Sequence, residues 1–298
     1  MRIDQNIAKK GYLKMKESSV VICSIVRNCE SQLSRNIPKI ETLRSKFKRS
    51  EVIVFENDSS DRTKELLEEW KETSMGVNVR CEDYNEKTIP KKDINGVNKF
   101  YSEYRISKMV RFRNKYMSFL ADHQEEFDFV IVIDLDIQDF EINGIAHSFG
   151  LSDIWDVVCA NGYSYSKFLK RRFHDTYALV EYGKENLAQN EREINSNRKK
   201  WSFLKKGIPL IPVYSAYGGL TIYNYDILKK KEYYILENDD PSVEVKCEHV
   251  SLHTSLHEAG ANRIFINPNM IVLYEKINLK KIKDYLQNKL NDSFLVKN

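Results

Sequence analysis

Five apolar residues, Phe129-Val130-Ile131-Val132-Ile133, run without a break into Asp134-Leu135-Asp136. A continuous, mostly β-branched run of this length reads as a strand buried on both faces, since a half-exposed strand would alternate. Such strands belong to parallel sheets covered by helices on both sides. The two carboxylates then stand at the carboxyl edge of the sheet, where open α/β sheets bind their ligands.

The preceding segments repeat the alternation. Residues 20–26 and 51–56 are short β-branched strands, with a Leu- and Ile-spaced helical segment, 32–48, between them. The cluster Asn57-Asp58-Ser59-Ser60-Asp61 is a turn and N-cap for a helix over 62–72, whose Leu66, Leu67 and Trp70 share a face. Residues 77–81 form a third strand, 84–101 a loop, and 102–122 a helix that delivers Arg105, Arg111 and Arg113. This pattern predicts an α/β fold with a mainly parallel sheet and flanking helices. The second half is less regular. A strand over 156–160 leads into a Lys-, Arg- and Asn-rich stretch, 164–206, expected to be an insertion with helical pieces. A strand-turn-strand passage then crosses Gly218-Gly219, and a strand-to-helix passage runs from Cys247 to His257. With no repeat and no clean linker, residues 1–298 are expected to form one domain.

Composition narrows the function. Hydrophobic residues make up 42% of the chain, with 17 Tyr and 14 Phe, enough for a sizeable core and too many for a disordered chain. Forty-seven Lys and Arg against 43 Asp and Glu leave +4, without the dense basic stripe of a nucleic-acid binder. That mild excess suits a phosphate-bearing substrate or an anionic membrane surface equally. Five scattered cysteines without a C-x-x-C pair argue against a disulfide framework or zinc knuckle, and make a reducing cytoplasm the expected location. Residues 1–16 show no secretory pattern, and no apolar stretch approaches the roughly 20 residues of a spanning helix.

Two carboxylates one residue apart on a strand-end loop suit Mn2+ or Mg2+, which take one or two protein carboxylates and complete their shell with phosphate and water. In that reading Asp134 and Asp136 hold an ion that neutralises a leaving diphosphate; a solvated strand-end turn has the same spacing. The short acids and hydroxyls after Glu56 can accept from a ribose or a base, or cap a helix that binds nothing. Arg27, directly after the first strand, is either a bidentate phosphate ligand or a surface cation. His249, His253 and His257 recur at one-turn spacing, so His253 is a candidate third metal ligand, or the row lines a polar helix face. Gly218-Gly219 lets backbone approach a sugar, with Tyr214 and Tyr217 as stacking faces, or makes an ordinary hairpin turn. Arg171, Arg172, His174 and Asp175 are candidates for acceptor contact, with solvated surface the alternative.

Taken in order, these pieces resemble a family. Glu56 to Thr63 is similar to the acidic-N-x-S-x-D-x-T segment of GT-A glycosyltransferases, and Arg113-Asn114 to their Arg-Asn segment. Over residues 20–270 the chain resembles the fungal capsule α-1,3-mannosyltransferase family and its bacterial relatives. Further matching pieces are Lys115, Phe127-Asp128, Asp175-Thr176-Tyr177-Ala178, Pro212-Val213-Tyr214-Ser215 with Gly218-Gly219, Cys247-Glu248-His249 and Asn267-Pro268.

The resemblance implies a GT-A, Rossmann-like fold in which 18–145 bind the nucleotide sugar and 146–275 face the acceptor. It implies transfer of a mannose-like hexose, with retention, from a GDP- or UDP-linked donor to a glycan or lipid-linked glycan, in capsule, lipopolysaccharide or other surface-polysaccharide synthesis. Glu56 and Asp58 would face the nucleoside, Arg27 and Arg113 the diphosphate, and Asp134 with a catalytic Asp136 the Mn2+ or Mg2+. Tyr214, Gly218, Gly219, Asp175 and His249 would line the substrate. Glu248 opens the acceptor-side helix where the family carries two acids, His249 replacing the second; in an inverting reaction Glu248 is the general base. Within 276–298, Lys280, Lys281, Lys283 and Lys289 against Leu279, Ile282, Leu286 and Leu290 make a basic amphipathic helix, suited to peripheral membrane contact or to closing the fold's own surface. Two rival readings stand beside this one. A phosphotransferase of the haloacid-dehalogenase type would use Asp134 as nucleophile and Asp239-Asp240 as its later acid pair, although Gln138 stands where that motif wants Thr or Val. A non-catalytic glycan-binding protein is the other.

Overall fold

All five residues of Phe129–Ile133 are buried, and they alternate between two cores. Phe129, Ile131 and Ile133 pack into the cluster on one face of the sheet, and Val130 and Val132 into the cluster on the other. The computed structural model describes residues 3–94, 96–277, 279, 282, 283, 285 and 286. Its first half runs α1 (Gln5–Glu17), β1 (Ser19–Val26), α2 (Glu30–Arg44), β2 (Arg49–Asn57), α3 (Thr63–Thr73), β3 (Val77–Glu82), α4 (Glu103–Asp122) and β4 (Phe129–Ile133). Then follow β5 (Asp139–Phe140), α5 (Ile142–Phe149), β6 (Val157–Tyr165), β7 (Arg171–Phe173), α6 (Glu191–Lys200), β8 (Ile211–Pro212) and β9 (Leu220–Asn224). The last elements are α7 (Tyr225–Leu228), β10 (Glu237–Asp240), β11 (Val243–Val245), α8 (Glu248–Glu258) and β12 (Ile264–Leu273).

One ten-stranded sheet takes strands from both halves, in the order β3-β2-β1-β4-β9-β6-β12-β5, with β7 added to β6 and β8 to β12. Its first four strands are parallel. Strand β9 pairs antiparallel with both β4 and β6, and β12 lies parallel to β6. The chain walks outward from β1 to β3 and returns on the other side of β1 as β4. This reversal opens a crevice at the carboxyl ends of β1 and β4. Arg27 and Asp134 follow those two strands directly.

Two regions differ from the sequence reading. Residues 164–206 are not a surface insertion: β7 joins the sheet, and Phe173, Tyr177, Ala178, Leu179, Val180, Ile194 and Trp201 are buried in the core. The polar residues between them hid these core positions. The charged N-terminus forms α1, capped by Asp4, whose carboxylate accepts from the amides of Asn6 and Ile7. It lays Ala8, Gly11 and Met15 against the fold, chiefly on α5. A Cβ on Gly11 would lie 1.6 Å from the Ala146 carbonyl oxygen, so only glycine allows this approach. The basic helix expected over 279–290 lies largely outside the described residues. No helix among the described residues is long and apolar enough to cross a membrane. Gly11→Ala is expected to cost about 1–3 kcal/mol by forcing α1 off α5, read as a lower urea midpoint at unchanged m-value.

Candidate active site

The two aspartates after β4 have unlike surroundings. The Asp134 amide donates to the Gly219 carbonyl at 3.0 Å, tying this corner to the start of β9. Its carboxylate accepts from the hydroxyls of Tyr217 at 2.7 Å and Tyr274 at 3.0 Å. The buried guanidinium of Arg113 stands 3.7 Å away and donates through Nε to Glu248 Oε1 at 2.9 Å. Arg113 thus joins α4, the end of β4 and the first turn of α8. Asp136 opens into a cleft of about 810 Å³ whose walls also include Arg27, Asn57, Arg105, Asp175, His174 and Arg198.

Burial, followed by the charge of Asp134, pushes Asp136 up to about 7. Water in the cleft reaches this carboxylate and relieves part of that shift. Burial and the charges of Asp134 and Glu248 likewise push Asp175 up to about 7. Its backbone is left-handed at φ 58°, a conformation disfavoured for residues other than glycine, asparagine and aspartate. Burial raises Asp134 above the usual carboxylate range, against the opposing pull of Arg113. Burial is the largest influence on Glu248 and acts to raise it, but the charges of Arg113 and Arg105, with hydrogen bonds from its own amide and from Arg113, together hold the group below that range.

The structure brings Arg27, Arg113, Asp134, Asp136, Asp175, Glu248 and His249 to one cleft. Other expected site residues go elsewhere. His253 is not a metal ligand, because its ring nitrogens are engaged by Ser215 at 2.9 Å and Tyr223 at 3.1 Å inside the core. Tyr214 stacks on His257 with ring centroids 4.1 Å apart and donates to Thr254, away from the cleft. Gly218 and Gly219 are buried and serve contacts within the protein. A Cβ on Gly218 would lie 2.2 Å from the Ala160 carbonyl oxygen, and one on Gly219 2.4 Å from the Tyr274 hydroxyl. Those glycines therefore let β9 start close to β6 and let Tyr274 reach Asp134.

Glu56 is fully buried and accepts from the Ser59 amide, while Asp58 accepts from the amides of Tyr84 and Asn85 at 2.7 and 2.6 Å. Both brace the loop instead of facing the cleft, and Asn57 between them lines it. The ion pair with Arg113 makes Glu248 a poor general base. Asp239 and Asp240 sit on the β10–β11 ribbon, with Asp240 bonded to Ser242, so no later acid pair joins Asp134 as the phosphotransferase reading requires. Sequence reasoning missed Tyr274, which lies beyond the recognisable motifs and bears no local signal.

Among the described residues, no group of three or more His, Cys, Asp and Glu is placed to hold a metal. One exposed carboxylate beside a second, tethered one still fits Mn2+ or Mg2+, for which phosphate and water would supply the rest of the shell.

The sequence model of the family described as Cryptococcal mannosyltransferase 1 matches residues 19–254. No curated protein matches the chain. The fold is similar to the mannosyltransferase PcManGT from Pyrobaculum calidifontis, solved with GDP-Man and Mn2+, at 12% identity and a TM-score of 0.46. That match covers 92% of this chain and 63% of the Pyrobaculum chain, so this chain spans less than two thirds of its length. Similarity extends to residues 1–349 of S. aureus TarS (14% identity, 85% of this chain, 59% of that one, TM-score 0.44). It extends also to M. tuberculosis glucosyl-3-phosphoglycerate synthase (10% identity, 91% of this chain, 77% of that one, TM-score 0.45).

Two outcomes follow from the buried charges. Arg113→Met strands Glu248 and Asp134 without a counter-ion and should cost about 3–5 kcal/mol in denaturant titrations; Arg113→Lys should not restore the loss, lacking the planar fork. The folded pKa of Asp136 exceeds its ordinary 3.8, so the folded protein holds the proton more tightly and loses stability as pH rises from about 4 to 7. Metal-free Asp136→Asn should therefore be more stable than wild type above pH 7, by about 1 kcal/mol after allowing for cleft water. The difference should vanish below pH 4, read from melting curves in chelator.

Proposed function

The chain belongs to the family described as Cryptococcal mannosyltransferase 1, and from that premise we propose that it transfers a mannose-like hexose from a nucleoside-diphosphate sugar to a hydroxyl of a glycan in surface-polysaccharide synthesis. The observation that carries this reading is Asp136: an open carboxylate at the sheet's reversal point that lines the cleft and carries the repulsion of Asp134. A cation relieves that repulsion, and a diphosphate is the ligand that brings one. Mn2+ or Mg2+ held there supplies positive charge to the leaving diphosphate.

The chain's own groups take complementary parts. Arg27 and Asn57, at the ends of β1 and β2, reach the donor side of the cleft, where the Arg27 guanidinium is held by the Glu86 carbonyl at 2.8 Å. Arg113, Tyr217 and Tyr274 fix Asp134 and so hold the loop that carries Asp136. Asp175 reaches the cleft from the loop after β7 and has no salt bridge among the described residues, so it can accept the hydrogen bond of the reacting acceptor hydroxyl. Glu248, neutralised by Arg113, orients that arginine and takes no proton.

A thermal-shift panel of GDP, UDP and ADP, with and without Mn2+, tests the reading. One nucleoside diphosphate should raise the melting temperature by about 5 °C at a hundredfold excess over Kd, only with metal. Asp136→Asn should abolish that shift and lower transfer by a factor of about 10³ or more. A shift indifferent to Mn2+, or one that survives Asp136→Asn, overturns the assignment.

A further inference from the structure

The cations of α4 are not equally occupied. Lys108 and Arg111 pair with Glu86, Arg113 with Glu248, and Lys115 with Glu82. Arg105 is the only one of the helix's described cations with no carboxylate within 4.0 Å. One of its terminal nitrogens donates to the Phe100 carbonyl at 3.2 Å, and its Nε is buried without a partner. Arg198, in the last turn of α6, lines the same cleft, and among the described residues it forms no ion pair. Both guanidinium charges act on the Tyr101 hydroxyl, so both lie in its neighbourhood.

We propose that Arg105 and Arg198 form an anion subsite for a carboxylate or phosphate group carried by the acceptor, so that the glycan extended by this enzyme is acidic. The proposal rests on the glycan-transfer reading for the word acceptor; the subsite itself rests on the two arginines. Arg105 acts on Glu248 and Asp175 at longer range, but it stands at ion-pair distance from neither, so part of its fork stays open to a further anion. The diphosphate is proposed to lie beside Arg27 and Asn57, at the ends of β1 and β2, whereas the charge of Arg198 acts on His174 and that of Arg105 on Asp175, in the loop after β7. A fork of N–H donors matches a carboxylate or phosphate better than neutral hydroxyls.

The test titrates the full chain with methyl α-mannoside, glucuronate and mannose 6-phosphate by ligand-observed NMR, alongside the Mn2+–nucleotide panel. At least one acidic sugar should bind about tenfold or more tightly than the neutral mannoside, a charge-assisted pair being worth that much. The two acidic probes separate carboxylate from phosphate. The Arg105→Gln/Arg198→Gln double variant should lose the preference while keeping the metal-dependent nucleotide shift. Arg198→Gln alone, on an exposed helix position, should weaken the preference without affecting the fold. Acidic sugars binding no better than the mannoside, or a preference that survives the double variant, overturns the subsite. If no nucleoside diphosphate binds wild type while the acidic preference and its loss in the variant persist, the donor reading fails and the subsite stands.

Discussion

A guanidinium buried as deeply as that of Arg113 is tolerated only where carboxylates share its charge. Here Glu248 takes a direct hydrogen bond and Asp134 stands 3.7 Å off, so one cation fixes the relative positions of α4, α8 and the corner after β4. Tyr217 lies near the same guanidinium, with its ring 5.1 Å away, and its hydroxyl returns to Asp134. The cleft floor is therefore a closed set of charges and hydroxyls. Every other group in the cleft is placed relative to it.

That closure separates the two aspartates. Asp134 spends its oxygens on two tyrosines and an arginine, and becomes part of the scaffold. Asp136 has no comparable partner and faces the opening, carrying the repulsion of its neighbour. In the proposed reading, a cation bound there would relieve that repulsion. Stability and binding oppose each other at this residue, as expected of a functional site.

The sheet's first half was legible because β1, β2 and β4 each carry a short, mostly β-branched apolar run bounded by polar punctuation, as strands covered on both faces do. The carboxylate pair was legible for the same reason, its place at the sheet edge following from the strand before it. The 164–206 region was not, since its core residues alternate with Lys, Arg and Asn and no period survives. The histidine ladder misled because helical spacing tells which residues share a face but not what that face meets. α8 is buried nearly all round, so His253 meets Ser215 and Tyr223 in the core. The paired glycines misled in the same way: their freedom serves Ala160 and Tyr274 inside the protein. Tertiary partners decide such cases, and sequence does not print them.

His249 shows how the charge balance limits what a neighbouring position can hold. The cleft already gathers Asp134, Asp136, Asp175 and Glu248, and two of these are driven up to about 7 by burial and mutual repulsion. A further carboxylate next to Glu248 would compete for Arg113 and raise the others again. Imidazole avoids this. Burial and then the charge of Arg113 hold His249 well below its ordinary pKa, so it is neutral. Its ring stacks on Tyr217 at 3.8 Å, and both of its nitrogens lack protein partners. A neutral, buried ring fills this position beside the cleft without drawing on the arginine that holds the floor together.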